Sequence, residues 1–442
     1  MSLTAIIWLG LFLTLTAKGF SRPIWSVCAY LMTYFAAPQF WWWGRSGMLS
    51  MTTSWNLYAA CALALTVAMH WPTRQKLTST ARRTYFLLVL FSINAGLVHF
   101  LFASNPLLSY TQFDLAWKQS LLAVLTYFAV QSKEDLRIFL IALFCGCVYV
   151  GFEVVVRDAG SIERGRLEGI HLPGASDSNG VSGLLTMGLM IGAYLFVSGK
   201  STWPIKTITV LGSVWIVEVL LRCNSRGAFL AAIASTGWLI WGTRGAARKR
   251  ILTVCALGVF GILMMAQDSK IFERFSTTFA GEEERDASAD ERLQFWKAAL
   301  RMLADHPLGS GGEAAFASDL GVKYIADIRN EYRAVHNGYL DIATGWGAQG
   351  FLLFAMAIGS AAWNAYKVLA ESRRDPNGSP EALDSTLVGA TVLGILISQL
   401  IVAMFISSLD NEWFYWCTTL LLLYAACYQL DTDSPTSDSW DA

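Results

Sequence analysis

Charge is scarce in this sequence. Of 442 residues only 15% are charged while 54% are hydrophobic, with 18 Trp and 25 Phe, a balance that excludes an ordinary soluble globular chain and makes lipid the solvent for most of it. An excess of either sign is missing as well: Lys+Arg and Asp+Glu both number 33, which leaves no basic surplus for a nucleic-acid partner and no acidic surplus to solvate a disordered protein. There is no disulfide or metal framework. Most of the eight cysteines (Cys28, Cys61, Cys145, Cys147, Cys255, Cys417, Cys427) fall in apolar runs, and none lies in the long polar segment near the C-terminal third. The stretch Met1 to Ala17 lacks a basic lead-in, and apolar runs continue along the whole chain, so it reads as a retained helix and not as a cleaved signal peptide.

Apolar runs are what the sequence does contain. A span needs roughly 17 to 25 mostly apolar residues. Thirteen stretches approach this: Leu3–Ala17, Pro23–Trp43, Trp55–Trp71, Thr84–Ala103, Phe113–Val130, Leu136–Val156, Val181–Val197, Trp203–Leu221, Ala228–Trp241, Ile251–Ala266, Tyr339–Leu369, Leu387–Ile406 and Trp413–Leu430. The expected fold is therefore an all-α, polytopic transmembrane bundle of 12 or 13 spans, the count turning on Lys18 to Arg22. Four regions follow: N-terminal spans over 1–266, a long polar loop over 267–338, C-terminal spans over 339–430, and an acidic, Ser-rich tail over 431–442 that is expected to be disordered in the cytoplasm. Asp431 and Asp433 form a D-x-D in that tail, but without a fold around it, and we assign it no role. The Trp41, Trp42, Trp43 run is expected to anchor at a membrane interface.

Orientation follows from two short loops rich in basic residues and free of acids, Arg74, Lys76, Arg82, Arg83 and Arg244, Arg248, Lys249, Arg250. The positive-inside tendency assigns both to the cytoplasm. An even number of spans separates them, and the loops at Lys133 with Arg137, Lys200 with Lys206, and Arg373 with Arg374 fall on the same side. By alternation 267–338 faces outward, together with 157–180 and 222–226.

Arginines cluster in these outward segments, where the same tendency should thin them. The first cluster reads Arg157, Arg164, Arg166, then Gly169, Pro173, Gly174, Ser178, Asn179 and Gly180, a glycine-rich entry to a helix whose backbone amides are expected to face an anion. A second is Arg222, Asn224, Ser225, Arg226, Gly227, a turn between two apolar helices. The long loop contributes a predicted helix from Asp290, as N-cap, to Asp305, with Leu293, Trp296, Leu300 and Leu303 as its apolar stripe and Arg292, Lys297 and Arg301 off it. His336 precedes the next span. Several guanidiniums and one imidazole on a single face suit a pyrophosphate, because the planar Arg fork matches phosphate oxygens. Glu153 and Glu218, inside apolar runs, are expected to pair with nearby arginines. Asp286, Asp290 and Glu291 are the one outward carboxylate grouping weighed for a divalent ion, and no metal is expected.

At these residues the sequence resembles the O-antigen ligase and polymerase superfamily of bacterial membrane glycan transferases. The resemblance runs from about Arg166 to Gly350. It rests on Arg166 with the Pro173–Gly180 turn, Ser225-Arg226-Gly227 opening a helix, Arg292 with Trp296, His306-Pro307-Leu308-Gly309-Ser310-Gly311, and Val335-His336-Asn337 with Tyr339, Leu340, Gly347 and Gly350. One departure is Ser178-Asn179, where relatives often have Asn-Pro-Asn. The resemblance implies a GT-C-like helical transferase, free of metal and cofactor, that takes a glycan from undecaprenyl pyrophosphate at the periplasmic face of the inner membrane and is closest to ligases with a lipid A-core acceptor. Arg226, Arg292 and Arg166 then bind the pyrophosphate, and His336 acts as base on the acceptor hydroxyl. Arg222, Arg333, Asn337 and Asn179 support them. Rival readings are a polymerase or protein O-oligosaccharyltransferase on the same scaffold and, from another class, a secondary transporter, which calls for repeated, interrupted helices around a midplane cavity.

Overall fold

In lipid every backbone N–H and C=O must be satisfied within the segment, so uninterrupted apolar runs fold as helices. The computed structural model describes residues 2–45, 54–74, 76–163, 165–175, 177–265, 287–312, 316–328, 331–375, 379–407 and 411–429. Among them are fifteen α-helices and one two-stranded hairpin. In chain order they are α1 Leu3–Gly19, α2 Ile24–Phe35, α3 Trp55–Met69, α4 Ser79–Phe102, α5 Pro106–Ala129, α6 Lys133–Val155, β1 Ser161–Glu163, β2 Arg166–Glu168, α7 Ser178–Val197, α8 Trp203–Cys223, α9 Arg226–Gly242, α10 Gly245–Met265, α11 Ala287–Asp305, α12 Asp319–Ile325, α13 Gly338–Ser372, α14 Pro380–Val402 and α15 Glu412–Tyr428. Each of the thirteen apolar runs contains a helix, although α2 ends well short of Trp43. Six of these (α4, α6, α7, α8, α13, α14) are long and apolar enough to cross a membrane, and α1, α2 and α3 are shorter apolar helices. The protein is a multi-pass helical membrane protein. Arg164, Asp286 and the tail with Asp431 and Asp433 lie outside the described residues.

Of these six, α7 and α14 are the most enclosed, with 83% of the apolar stretch buried in each, against 28% for α8 at the periphery. Polar side chains join the central pair: Thr186 and Ser398 hydroxyls lie 2.6 Å apart, and Gln399 Nε2 donates to the Gly183 carbonyl at 2.9 Å. In a membrane such small and polar residues hold helices together where lipid removes the hydrophobic incentive.

Three ion pairs and one arginine–carbonyl hydrogen bond tie the connections together at one end of the bundle. Arg22 meets Asp135 at 2.7 Å, Lys200 meets Asp384 at 2.8 Å, Lys133 meets Glu381, and Arg244 donates to the Arg373 carbonyl at 3.1 Å. These contacts bring the starts of α6 and α14 together with the ends of α7, α9 and α13, which is the side assigned to the cytoplasm by charge. The outward segments lie at the opposite end.

Two readings are corrected at the periphery. Helix α2 stops at Phe35, and of the three tryptophans only Trp42 is exposed; Trp41 and Trp43 are 4% and 5% exposed. Their indole N–H groups are satisfied inside, by the Phe35 carbonyl and the Tyr149 hydroxyl, both at 2.8 Å, so they are core residues and not interface anchors. That same Tyr149 donates at 2.6 Å to Glu153, whose hydrogen-bond partner is thus a phenol and not an arginine. Glu218 does pair with an arginine, Arg222 at 2.8 Å.

Helix α13 is broken. Gly347 has φ 81° and ψ 167° in its midst, a region essentially closed to residues with a Cβ. The interruption frees carbonyls and amides that the chain must satisfy elsewhere. Residues 307–311 do this: Ser310 N–H donates to the Thr344 carbonyl at 3.0 Å, Gly311 N–H to Gly345 at 2.9 Å, and Ala348 N–H to Pro307 at 2.9 Å. Gly309 (φ 97°) fits there because a Cβ would lie 2.6 Å from the Gly345 oxygen. The segment is also fastened to the turn between α4 and α5, where Ser104 N–H meets the Ser310 carbonyl at 2.8 Å and Asn105 Nδ2 the Ala317 carbonyl at 3.0 Å.

Candidate functional site

The first half of α13, Gly338 to Trp346, starts at the outward end. Asn337 caps it, its side-chain oxygen accepting from Tyr339 N–H at 3.1 Å and Leu340 N–H at 3.2 Å, so Asn337 has a positioning role. Just before it, His336 takes a left-handed φ of 53°, unusual for a residue with a Cβ. Neighbouring contacts hold it there. Its backbone N–H donates to Ser407 Oγ at 2.8 Å, Gly338 N–H donates to the Ala403 carbonyl at 2.7 Å, and Val335 is 1% exposed in a small core.

That small core also places Arg292. It comprises Phe295, Ala298, Ala299 and Met302 of α11 with Phe316, Ile325 and Val335. Arg292, Phe295, Ala299 and Met302 follow at spacings of three and four, so Arg292 lies at the outer end of the face that packs over Val335. The expected stripe is corrected: Leu293 and Leu300 are 48% and 55% exposed. Helix α11 also begins at Ala287, so Asp290 is inside it and not its N-cap. Two apolar faces were available on this helix, and the chain buries the one with the smaller side chains.

Burial and the Arg292 guanidinium push the His336 pKa below its ordinary value of 6.5, with Arg333 adding to the effect and Asp177 and Glu291 opposing it. A half-buried imidazole beside cations favours its neutral form. The structure therefore brings His336, Arg292, Arg333 and Asp177 within electrostatic reach of one another.

Arg226 is the first residue of α9, exposed, with Ser225 as N-cap accepting from Ala228 N–H at 3.3 Å. The next residue, Gly227, sits so close to Phe405 that a Cβ would lie 2.5 Å from its ring. Phe405 and the His336 partner Ser407 share the turn after α14, which links the start of α9 to the start of α13.

Other predicted residues have structural partners. Arg166 stands opposite Glu163 in the backbone register of the hairpin. Arg222 is held by Glu218, with Asp158 at 4.0 Å. Arg157 stacks over Trp42, 4.4 Å from the ring centroid. Asn179 reaches Asp177 at 3.5 Å. The α7 N-terminus, expected to be open to an external anion, is filled from within: Glu168 accepts from Ser178 N–H at 3.1 Å and Ser178 Oγ at 2.8 Å, and Asp177 accepts from Gly180 N–H at 2.7 Å. Negative charge does sit at the positive end of this helix, but the chain supplies it. Sequence reasoning missed Ser407, Asp177 and Glu168. Among the described residues no three His, Cys, Asp or Glu side chains gather as a metal site.

The chain is thus a polytopic helical membrane protein in which His336 lies near Arg292 and Arg333 at the start of a broken helix. Residues 211–355 match the O-Antigen ligase family model, so this segment of the chain is similar to the O-antigen ligase superfamily. Within the match lie Arg222, Arg226, Arg292, Arg333, His336 and Asn337, whereas Arg166 and Asn179 precede it. Residues 3–159 match a family of unknown function (DUF5935). No curated protein matches the chain.

Proposed function

We propose that this protein transfers a glycan from undecaprenyl pyrophosphate to a lipid A-core acceptor at the periplasmic face of the bacterial inner membrane. The carrying observation is the neutral-favouring environment of His336 beside Arg292 and Arg333. The donor's leaving group is already good, so the work is to hold its charge while the anomeric carbon separates from the phosphate oxygen. Arg292 and Arg226, with Arg166, present forks to the pyrophosphate, and the capped start of α13 adds its dipole. As the acceptor oxygen bonds to the anomeric carbon from the opposite face, the carbon–phosphate oxygen bond breaks and the hydroxyl proton passes to His336. A single displacement of this kind inverts the anomeric centre, and no step in it calls for a metal ion.

Polymerisation and transfer to protein would use the same residues on another acceptor. A transporter would share the interrupted helix, yet backbone groups freed at the break are bonded to residues 307–311 and not offered to a substrate.

The test is an assay of purified protein with undecaprenyl-pyrophosphate glycan and lipid A-core in excess chelator. Glycan on lipid A-core, lost in His336→Ala, supports the reading. Elongation of the lipid-linked glycan alone reassigns it as a polymerase, and complete loss in chelator removes the metal-free step.

A further inference from the structure

The cytoplasmic end carries a second arginine cluster, remote from His336. Arg244 follows α9, and Arg373 and Arg374 follow α13; with Trp241 and Asp375 they line a cavity of about 570 Å³. Basic residues are expected on this side, but their geometry here goes further than a dispersed positive surface. The Arg244 side chain donates to the Arg373 carbonyl at 3.1 Å, and Arg373 in turn donates to the Trp241 carbonyl at 3.2 Å and lies over the Trp241 ring, 4.3 Å from its centroid. Two like charges are thereby held side by side. Arg373 Nε is buried with no hydrogen-bond partner, and an unmatched buried donor of this kind costs stability until an acceptor arrives. Asp375, the carboxylate in the lining, directs one oxygen to the N–H and hydroxyl of Ser379 at 3.3 and 2.8 Å. Three cations thus face one anion.

Arg244, Arg373 and Asp375 also border a second cavity of about 120 Å³, whose remaining lining mixes Ala247, Leu383 and Leu387 with Thr243, Ser372 and Thr386. A charged chamber that shares Arg244, Arg373 and Asp375 with a slot partly lined by aliphatic side chains, at the end of a membrane bundle, matches an amphiphile better than a free anion. We propose that these adjacent cavities bind an anionic phospholipid of the inner leaflet, with its phosphate on Arg244 and Arg373 and the start of an acyl chain along Leu383 and Leu387. The lipid would bridge the α9–α10 and α13–α14 connections.

Native mass spectrometry and thermal unfolding of the full-length protein in detergent test this with phosphatidylglycerol, phosphatidylcholine and inorganic phosphate as separate probes. Phosphatidylglycerol should bind and raise the unfolding temperature, and the other two should not. The pair Arg244→Gln with Arg373→Gln should weaken phosphatidylglycerol about 30-fold, from the usual value per basic residue at an anionic membrane surface, while Arg74→Gln, at a different basic loop, should leave it unchanged. Should the Gln pair not accumulate, Arg244→Lys with Arg373→Lys, which keeps charge but not the fork, should bind with intermediate affinity. Unchanged binding in whichever pair is measured, an equal loss in Arg74→Gln, or equal stabilisation by inorganic phosphate overturns the assignment.

Discussion

The backbone N–H of His336 donates to Ser407 Oγ at 2.8 Å, and this contact ties the imidazole-bearing residue to the turn that closes α14. Two residues further on, Gly338 N–H is held by the Ala403 carbonyl at 2.7 Å. The chain is thereby gripped on both sides of the start of α13, and the left-handed φ of 53° at His336 is a consequence of that grip. Strain held in place by surrounding contacts is how a functional side chain is kept in one orientation.

A pair of substitutions separates the backbone role from the chemical one. His336→Gly relieves the left-handed strain, worth about 1 kcal/mol, and His336→Ala keeps it. Both should lose transfer activity, with His336→Gly accumulating in the membrane at least as well as His336→Ala. Full activity in either variant would end the base assignment, and quantitative membrane immunoblots beside the transfer assay measure both properties.

The pH profile carries a sign that can be checked. Since burial and then Arg292 set the His336 pKa below 6.5, the neutral base persists at neutral pH and the rate should fall only on the acid side, below about pH 6.5. Removing the Arg292 charge in Arg292→Gln lets that pKa rise, so the acid limb of kcat/KM should move to higher pH. The same sign applies to stability. An imidazole with a lowered folded pKa takes up its proton more readily when unfolded, so its contribution is complete above the unfolded pKa and is lost as pH falls through it. An acid limb that stays in place in Arg292→Gln would detach the two residues.

Much of the fold was legible because lipid leaves the backbone so few options. Each of the thirteen apolar runs contains a helix, although α2 stops at Phe35 within Pro23–Trp43, and the loops at Lys133, Lys200 and Arg244 with Arg373 lie at one end of the bundle. The broken helix was hidden inside a run, Tyr339 to Leu369, read as one continuous span; its excess length and the Gly345, Gly347 and Gly350 spacing were the available signals. On α11, two apolar faces were present and nothing local distinguishes the one that meets Val335. Ser178 shows a third limit: the anion at its helix start arrives from Glu168, ten residues earlier, through a hairpin that no periodicity announces. For the candidate site, His336 and Arg292 were visible as residue types near a span end, whereas their shared environment depends on α11 folding back over Val335.

Charge and shape can be told apart at the arginines. Arg292→Ala and Arg226→Ala should each lower kcat/KM for the lipid-linked donor on the order of 100-fold, and the Lys variants should recover only part of that, because a point charge replaces a planar fork. Donor titrations at fixed acceptor separate the effect on donor use from that on acceptor use. Equal recovery by Lys would mean that only long-range charge matters there.

The last prediction concerns the break itself. At Gly347 a Cβ would lie 2.5 Å from the Leu308 carbonyl carbon, in a backbone region (φ 81°, ψ 167°) that only glycine enters readily. Gly347→Ala therefore combines backbone strain of about 1 to 3 kcal/mol with overpacking of about the same size. The outcome expected is a lower unfolding temperature together with reduced transfer, since displacing residues 307–311 also disturbs α11, which leads directly into them and carries Arg292. Gly359, in the continuous part of the same helix, has nothing within 4 Å of a built Cβ, and Gly359→Ala should be neutral or slightly stabilising through its better helix propensity. If Gly347→Ala unfolds at the wild-type temperature and Gly359→Ala does not differ from it, residues 307–311 do not depend on the glycine break, and another explanation is needed for why this helix is interrupted.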